Sequence, residues 1–167
     1  MNYSKADLFE SEAVMNQMRN AVYHLSRFME KNGRKNIIER LREMGKNIAR
    51  TFYNYWRPIN IITTSNIKDV LTTIYRKILI SSVMVEVNDS IITVKDNSCP
   101  LCKYEYDDIS IAGCEIIMGM VSELITLISK ESKHIASIYL EPLNVEKSKA
   151  LGHNSCIHVY RIKSGGA

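Results

Sequence analysis

Four cysteines, at positions 99, 102, 114 and 156, are the residues of this chain best suited to chemistry. Cys99-Pro100-Leu101-Cys102 has knuckle spacing, in which one short loop presents two thiolates to a single ion. Cys114 lies in a strongly apolar segment, and Cys156 lies in another apolar stretch near the C-terminus. If the fold unites these three places, Cys99, Cys102, Cys114 and Cys156 make a tetrahedral four-sulfur zinc site that braces distant segments. His153 is a substitute ligand. The plainer alternative is four reduced thiols packed as small apolar groups. A redox dithiol at Cys99 and Cys102 is disfavoured, because no thioredoxin-like βαβ pattern surrounds the pair.

Little else points to catalysis. His24, His134, His153 and His158 are scattered, with no readable Ser/His/Asp or Cys/His arrangement. Neither a phosphate-binding glycine loop nor a dinucleotide fingerprint is present. The reading is therefore a non-catalytic domain. A small apolar or aromatic ligand is a candidate occupant, because Met44, Tyr53 and Met84, together with Phe52, Trp56, Met118 and Met120, could line an adaptable pocket. Phe52, Trp56, Met118 and Met120 are the pocket candidates taken forward, with ordinary core as the alternative. Tyr104 and Tyr106 flank Glu105 just after the knuckle and read as an amphipathic loop.

These residues need a frame to position them. The chain has 167 residues, 46% of them apolar and 24% charged, which suits one domain with a sizeable core. Seven Gly and three Pro argue against long linkers. No apolar run is long enough to span a bilayer, and no signal-peptide core follows Met1. A cytoplasmic protein with reduced cysteines is expected. Residues 1–163 read as a single domain, and 164–167 as a tail without structural weight. The net charge of +4 is uneven: residues 1–57 carry eleven Lys and Arg against six Asp and Glu. Arg34, Lys35, Arg42, Lys46 and Arg50 form a basic stripe that reads as a solvated face, or as a surface for a membrane or a protein partner. Nucleic acid is disfavoured, since no binding motif accompanies the stripe.

Apolar periodicity predicts helices over about 7–31, ending near Gly33, and 35–56, ending at Arg57-Pro58. A third is expected over 66–80, capped by Thr64-Ser65. Val83, Val85 and Val87 then alternate as a strand, Asn88-Asp89 turns the chain, and Ile91 to Val94 return. Asp107-Asp108 is read as capping a helix over 109–130 that is apolar on most of its circumference, hence central and buried. Gly113 and Gly119 suit close backbone packing there. Strands over 135–143 and 155–163 follow, the last placing Cys156, His158, Tyr160 and Ile162 on one face. The order predicts an α+β domain, with N-terminal helices on an antiparallel sheet of about four strands and one central helix.

Four short motifs carry a family resemblance. They are Cys99-Pro100-x-Cys102, Cys114 followed by Gly119, Gly152-His153-Asn154-Ser155-Cys156-Ile157, and the helix segment Leu41-Arg42-Glu43-Met44-Gly45-Lys46-Asn47-Ile48. In this order and spacing they resemble the superfamily of 4-vinyl-reductase domains and TRAPP vesicle-tethering subunits, with the knuckle most similar to archaeal members. The resemblance implies an α+β fold, homodimers through the N-terminal helices, and an apolar cavity beside the central helix. It also implies a sensing or regulatory role, with a membrane-tethering scaffold or a tetrapyrrole vinyl-reductase accessory protein as alternatives. Two departures are visible. Zinc-binding sensors of the family use a further cysteine in the penultimate strand, where this chain has none, so Cys99 and Cys102 would substitute. The acylated cysteine of TRAPP subunits falls near Ile61, so acyl-thioester chemistry does not carry over.

Overall fold

The computed structural model describes residues 4–55, 62–131 and 138–164. Its elements are α1 (Lys5–Lys31), α2 (Ile37–Tyr53), α3 (Ile67–Lys77), β1 (Val83–Asn88), β2 (Ile91–Asp96), α4 (Glu115–Glu131), β3 (Ile138–Lys147) and β4 (Cys156–Ser164). The strands form one antiparallel sheet in the order β1-β2-β4-β3. This is the α+β architecture that the patterning predicts.

Helix α1 stops where Gly33 takes a positive φ of 61°. The Gly33 and Arg34 amides return to the carbonyls of Glu30 and Met29, the closing pair of a Schellman end. The N-cap of α3 is Asn66, not Thr64-Ser65, and its side chain accepts from the Thr63 amide upstream. The hairpin turn is Asp89-Ser90, one residue later than expected, with Asp89 supplying the left-handed φ of 54°. The predicted stop at Arg57-Pro58 lies outside the described residues.

The largest difference concerns α4. It begins at Glu115 rather than near 109, and residues 97–114 have no regular secondary structure. Asp108 is not a cap, because both its oxygens take the Arg27 guanidinium, at 2.5 and 2.7 Å. The Ser110 amide and hydroxyl likewise bond Glu30. Ile109 and Ile111 thus continue the apolar run of α4 in sequence, while both side chains pack from an irregular segment ahead of it.

α4 is the central helix, buried on nearly all sides between α2 and the sheet. Two glycines allow α2 to cross it closely. A Cβ on Gly119 would overlap the carbonyl oxygen of Arg42, and one on Gly45 would overlap that of Ile116. A substituted pair would force the two backbones apart across a core packed at crystal-like density. Beneath the crossing, Leu71, Ile74, Tyr75, Ile92, Met118 and Leu124 are fully buried. No helix among the described residues is long and apolar enough to cross a membrane.

Candidate metal centre

Three elements deliver the cysteines. The chain leaves β2 pinned, because the Ser98 amide donates to Asp96 Oδ1 and the Asn97 amide to the Ser82 carbonyl. The Cys102 amide then donates to the Cys99 carbonyl at 3.2 Å and closes the knuckle. Cys114 immediately precedes α4, and Cys156 opens β4, in register with Asp96. The four Sγ atoms lie within 4.8 Å of one another, all from buried residues and none in a disulfide. Tetrahedral zinc with Zn–S bonds of about 2.3 Å would set sulfurs about 3.8 Å apart, and the separations here, none above 4.8 Å, are compatible with a shared ion.

The surroundings suit thiolates. Ser148 Oγ donates to Cys102 Sγ at 3.4 Å and lies 3.9 Å from both Cys114 and Cys156 Sγ. The Lys149 amide donates to Cys156 Sγ at 3.4 Å, and the Tyr23 hydroxyl sits 3.3 Å from Cys102 Sγ. Donors of this kind hold and orient sulfur ligands from outside the coordination sphere. Hydrogen bonds from Cys102 and its neighbours hold the Cys156 thiol far below its ordinary value, and a bond from Cys114 lowers Cys102. Burial pushes Cys99 up, and bonding to Cys102 raises Cys114. Four thiols this close cannot all ionise alone; a cation at their centre removes that conflict.

The other sequence candidates fall elsewhere. His153 is exposed and outside the cluster. His158 is fully buried, its Nδ1 2.8 Å from the Tyr75 hydroxyl, which in turn lies 2.7 Å from the Tyr160 hydroxyl. Met118 and Met120 are core residues. Phe52 lines an open surface groove of about 760 Å³ with Met44, Ile48 and Tyr55, and neither methionine reaches its lining. Trp56 lies outside the described residues. The basic stripe of α2 is largely neutralised. Arg42 pairs with buried Glu115 at 2.7 Å and donates to the carbonyls of Pro142 and Leu143 at a bulge in β3. Lys46 pairs with Glu43, and Arg50 with Glu43 and Glu123.

Sequence reasoning missed the partners of the cluster. Tyr23 reads as one more apolar position of α1, and Ser148 as one more loop serine. Neither carries a local signal, because each meets sulfur across a large sequence separation. Tyr104 and Tyr106 prove to be docking residues for α1. Tyr104 donates to Asn16, and the Tyr106 ring lies 4.4 Å from that of Tyr23.

No family model matches the chain, and no curated protein does. Among solved structures, it is similar to trafficking protein particle complex subunit 3 from Naegleria fowleri, whose structure was determined covalently bound to palmitic acid. The TM-score is 0.60 at 14% identity, covering 91% of this chain and 96% of that one. The chain therefore has a TRAPP-subunit-like fold, with four cysteines gathered at one buried point.

Proposed function

We propose that this chain is a non-catalytic interaction domain on a TRAPP-like scaffold, braced by one zinc ion held by Cys99, Cys102, Cys114 and Cys156. The observation that carries the reading is the convergence of four buried sulfurs from three separate segments within 4.8 Å. Zinc there would supply structural cross-linking, not reactivity, since four protein ligands close the coordination shell. The partner face is α1, where Val14, Met18, Leu25 and Phe28 fall on one helical stripe and are 36 to 57% exposed. A second copy of the chain, pairing stripe to stripe, suits such a face, and a sensing role would act through that pairing.

A second reading has its own support. The groove along α2, floored by Met44, Ile48, Phe52 and Tyr55, has the size and apolar character for a small ligand. Such a ligand would be held non-covalently, since all four cysteines of the chain are in the cluster and no other thiol is available to bond it. Native mass spectrometry of the purified protein tests these readings together. One zinc per chain in a dimer supports the braced scaffold, and a retained apolar mass supports the groove. A metal-free monomer with no adduct rejects both.

A further inference from the structure

We propose that occupancy of the four-sulfur site controls the docking of α1, the metal acting as a latch for the N-terminal helix; this rests on the zinc reading above. The segment between β2 and α4, residues 97–114, is irregular throughout. It contains three of the four cysteines, so an ion would fix its path at both ends. An irregular stretch of this length inside a compact domain is uncommon without such a constraint.

One stripe of α1 is devoted to that segment. Arg19 Nε donates to the Pro100 carbonyl at 2.6 Å, inside the knuckle itself. The Tyr23 hydroxyl meets Cys102 Sγ. Arg27 forks onto Asp108, and Glu30 accepts from Ser110. These positions recur every three to four residues and so form a single face. The direct apolar anchorage of α1 on α2 is narrower, running through Val22 and Met29 to Ile37 and Leu41. Without the ion, four crowded thiols lose the centre that holds the loop's shape, and the α1 face loses its complement. A helix released from packing is only marginally stable in water, so α1 would fray while α2 and α4 stay locked by their glycine crossing. Linkage makes the effect reciprocal: whatever loosens α1 must weaken metal binding by the same factor.

The test follows hydrogen exchange by peptide in zinc-loaded and chelator-stripped full-length protein, with metal content measured separately. Stripping is expected to raise exchange in residues 5–31 well above any change in α4. Two variants probe the reverse direction in the zinc-loaded state. Tyr23→Phe removes one hydroxyl beside Cys102, and Arg27→Ala acts on the same helix face away from the sulfurs. Each is expected to keep one zinc per chain but release it, at equilibrium, to a several-fold lower concentration of a chromogenic chelator, about tenfold lower for Tyr23→Phe. Should stripped protein unfold throughout, the variants decide. Zinc that binds, with α1 equally protected in both states or with wild-type release from both variants, overturns the latch and leaves the brace intact. Failure to bind zinc at all overturns both.

Discussion

Replacing Cys99 by serine separates a metal brace from four packed thiols. The site would tie Cys102 to Cys114 and Cys114 to Cys156. Closing spans of roughly a dozen and roughly forty residues removes, on a chain-entropy reckoning, about 3 and about 4 kcal/mol from the unfolded state. Against a typical total stability of about 5–15 kcal/mol, losing even the smaller share is severe. With one sulfur replaced by a poor oxygen ligand the metal is lost, and a loss of at least about 3 kcal/mol is expected, which lowers the melting temperature of a chain this size by about 10 °C or more. Calorimetry with and without chelator, alongside elemental analysis, reads the effect. Wild-type protein should contain one zinc and lose a similar amount of stability on chelation, whereas the variant should not respond to chelator. In a purely packed cluster Cys99→Ser would still cost about 1–3 kcal/mol for the buried hydroxyl, but chelation would cost wild-type protein nothing, so the response to chelator carries the distinction. Metal-free wild-type protein with an unchanged melting temperature would refute the reasoning.

Gly119→Ala sets helix propensity against geometry: alanine gains about 1 kcal/mol in a helix interior, but overlap with the Arg42 carbonyl costs about 3, so a net loss of about 2 kcal/mol is expected by urea denaturation. A midpoint at or above wild type would show that the crossing can open. Arg42→Met strands buried Glu115 and should cost about 3 kcal/mol, most of it recovered in the double variant with Glu115→Gln. Absence of recovery would mean that the β3 carbonyls, not the carboxylate, need the guanidinium. Asp96 is fully buried, burial raises its carboxyl above the usual range, and its Oδ2 has no hydrogen-bond partner among the described residues. An acid with a raised folded-state value costs stability above that value and recovers it as pH falls through it. Asp96→Asn is therefore expected to stabilise the protein at neutral pH, with the gain shrinking toward pH 4, as melting curves across pH would report.

Much of the frame was legible because its signals are local. Val83 to Val94 alternate with period two whatever they pack against, and Gly33 can hold a left-handed φ without help from the rest of the fold. The start of α4 was not legible. Ile109 and Ile111 extend the apolar run of the helix that follows, and only the distant Arg27 draws Asp108 out of a capping role. Within the basic stripe, Arg34, Lys35 and Arg50 stay exposed as a solvated face requires, whereas Arg42 turns inward to a carboxylate more than seventy positions away, which no local signal announces.

By itself, the amino-acid order determined the class of the domain, the helical and strand periods, and the four sulfurs as the residues worth watching, because composition and short-range spacing carry that information. Tertiary structure alone decided that those sulfurs share one point and that a stripe of α1 rests on the loop bearing three of them. It also decided that Met118 and Met120 lie within the core while Phe52 lines a surface groove. Such contacts join residues far apart in the chain, and local propensity is blind to them until the core has closed.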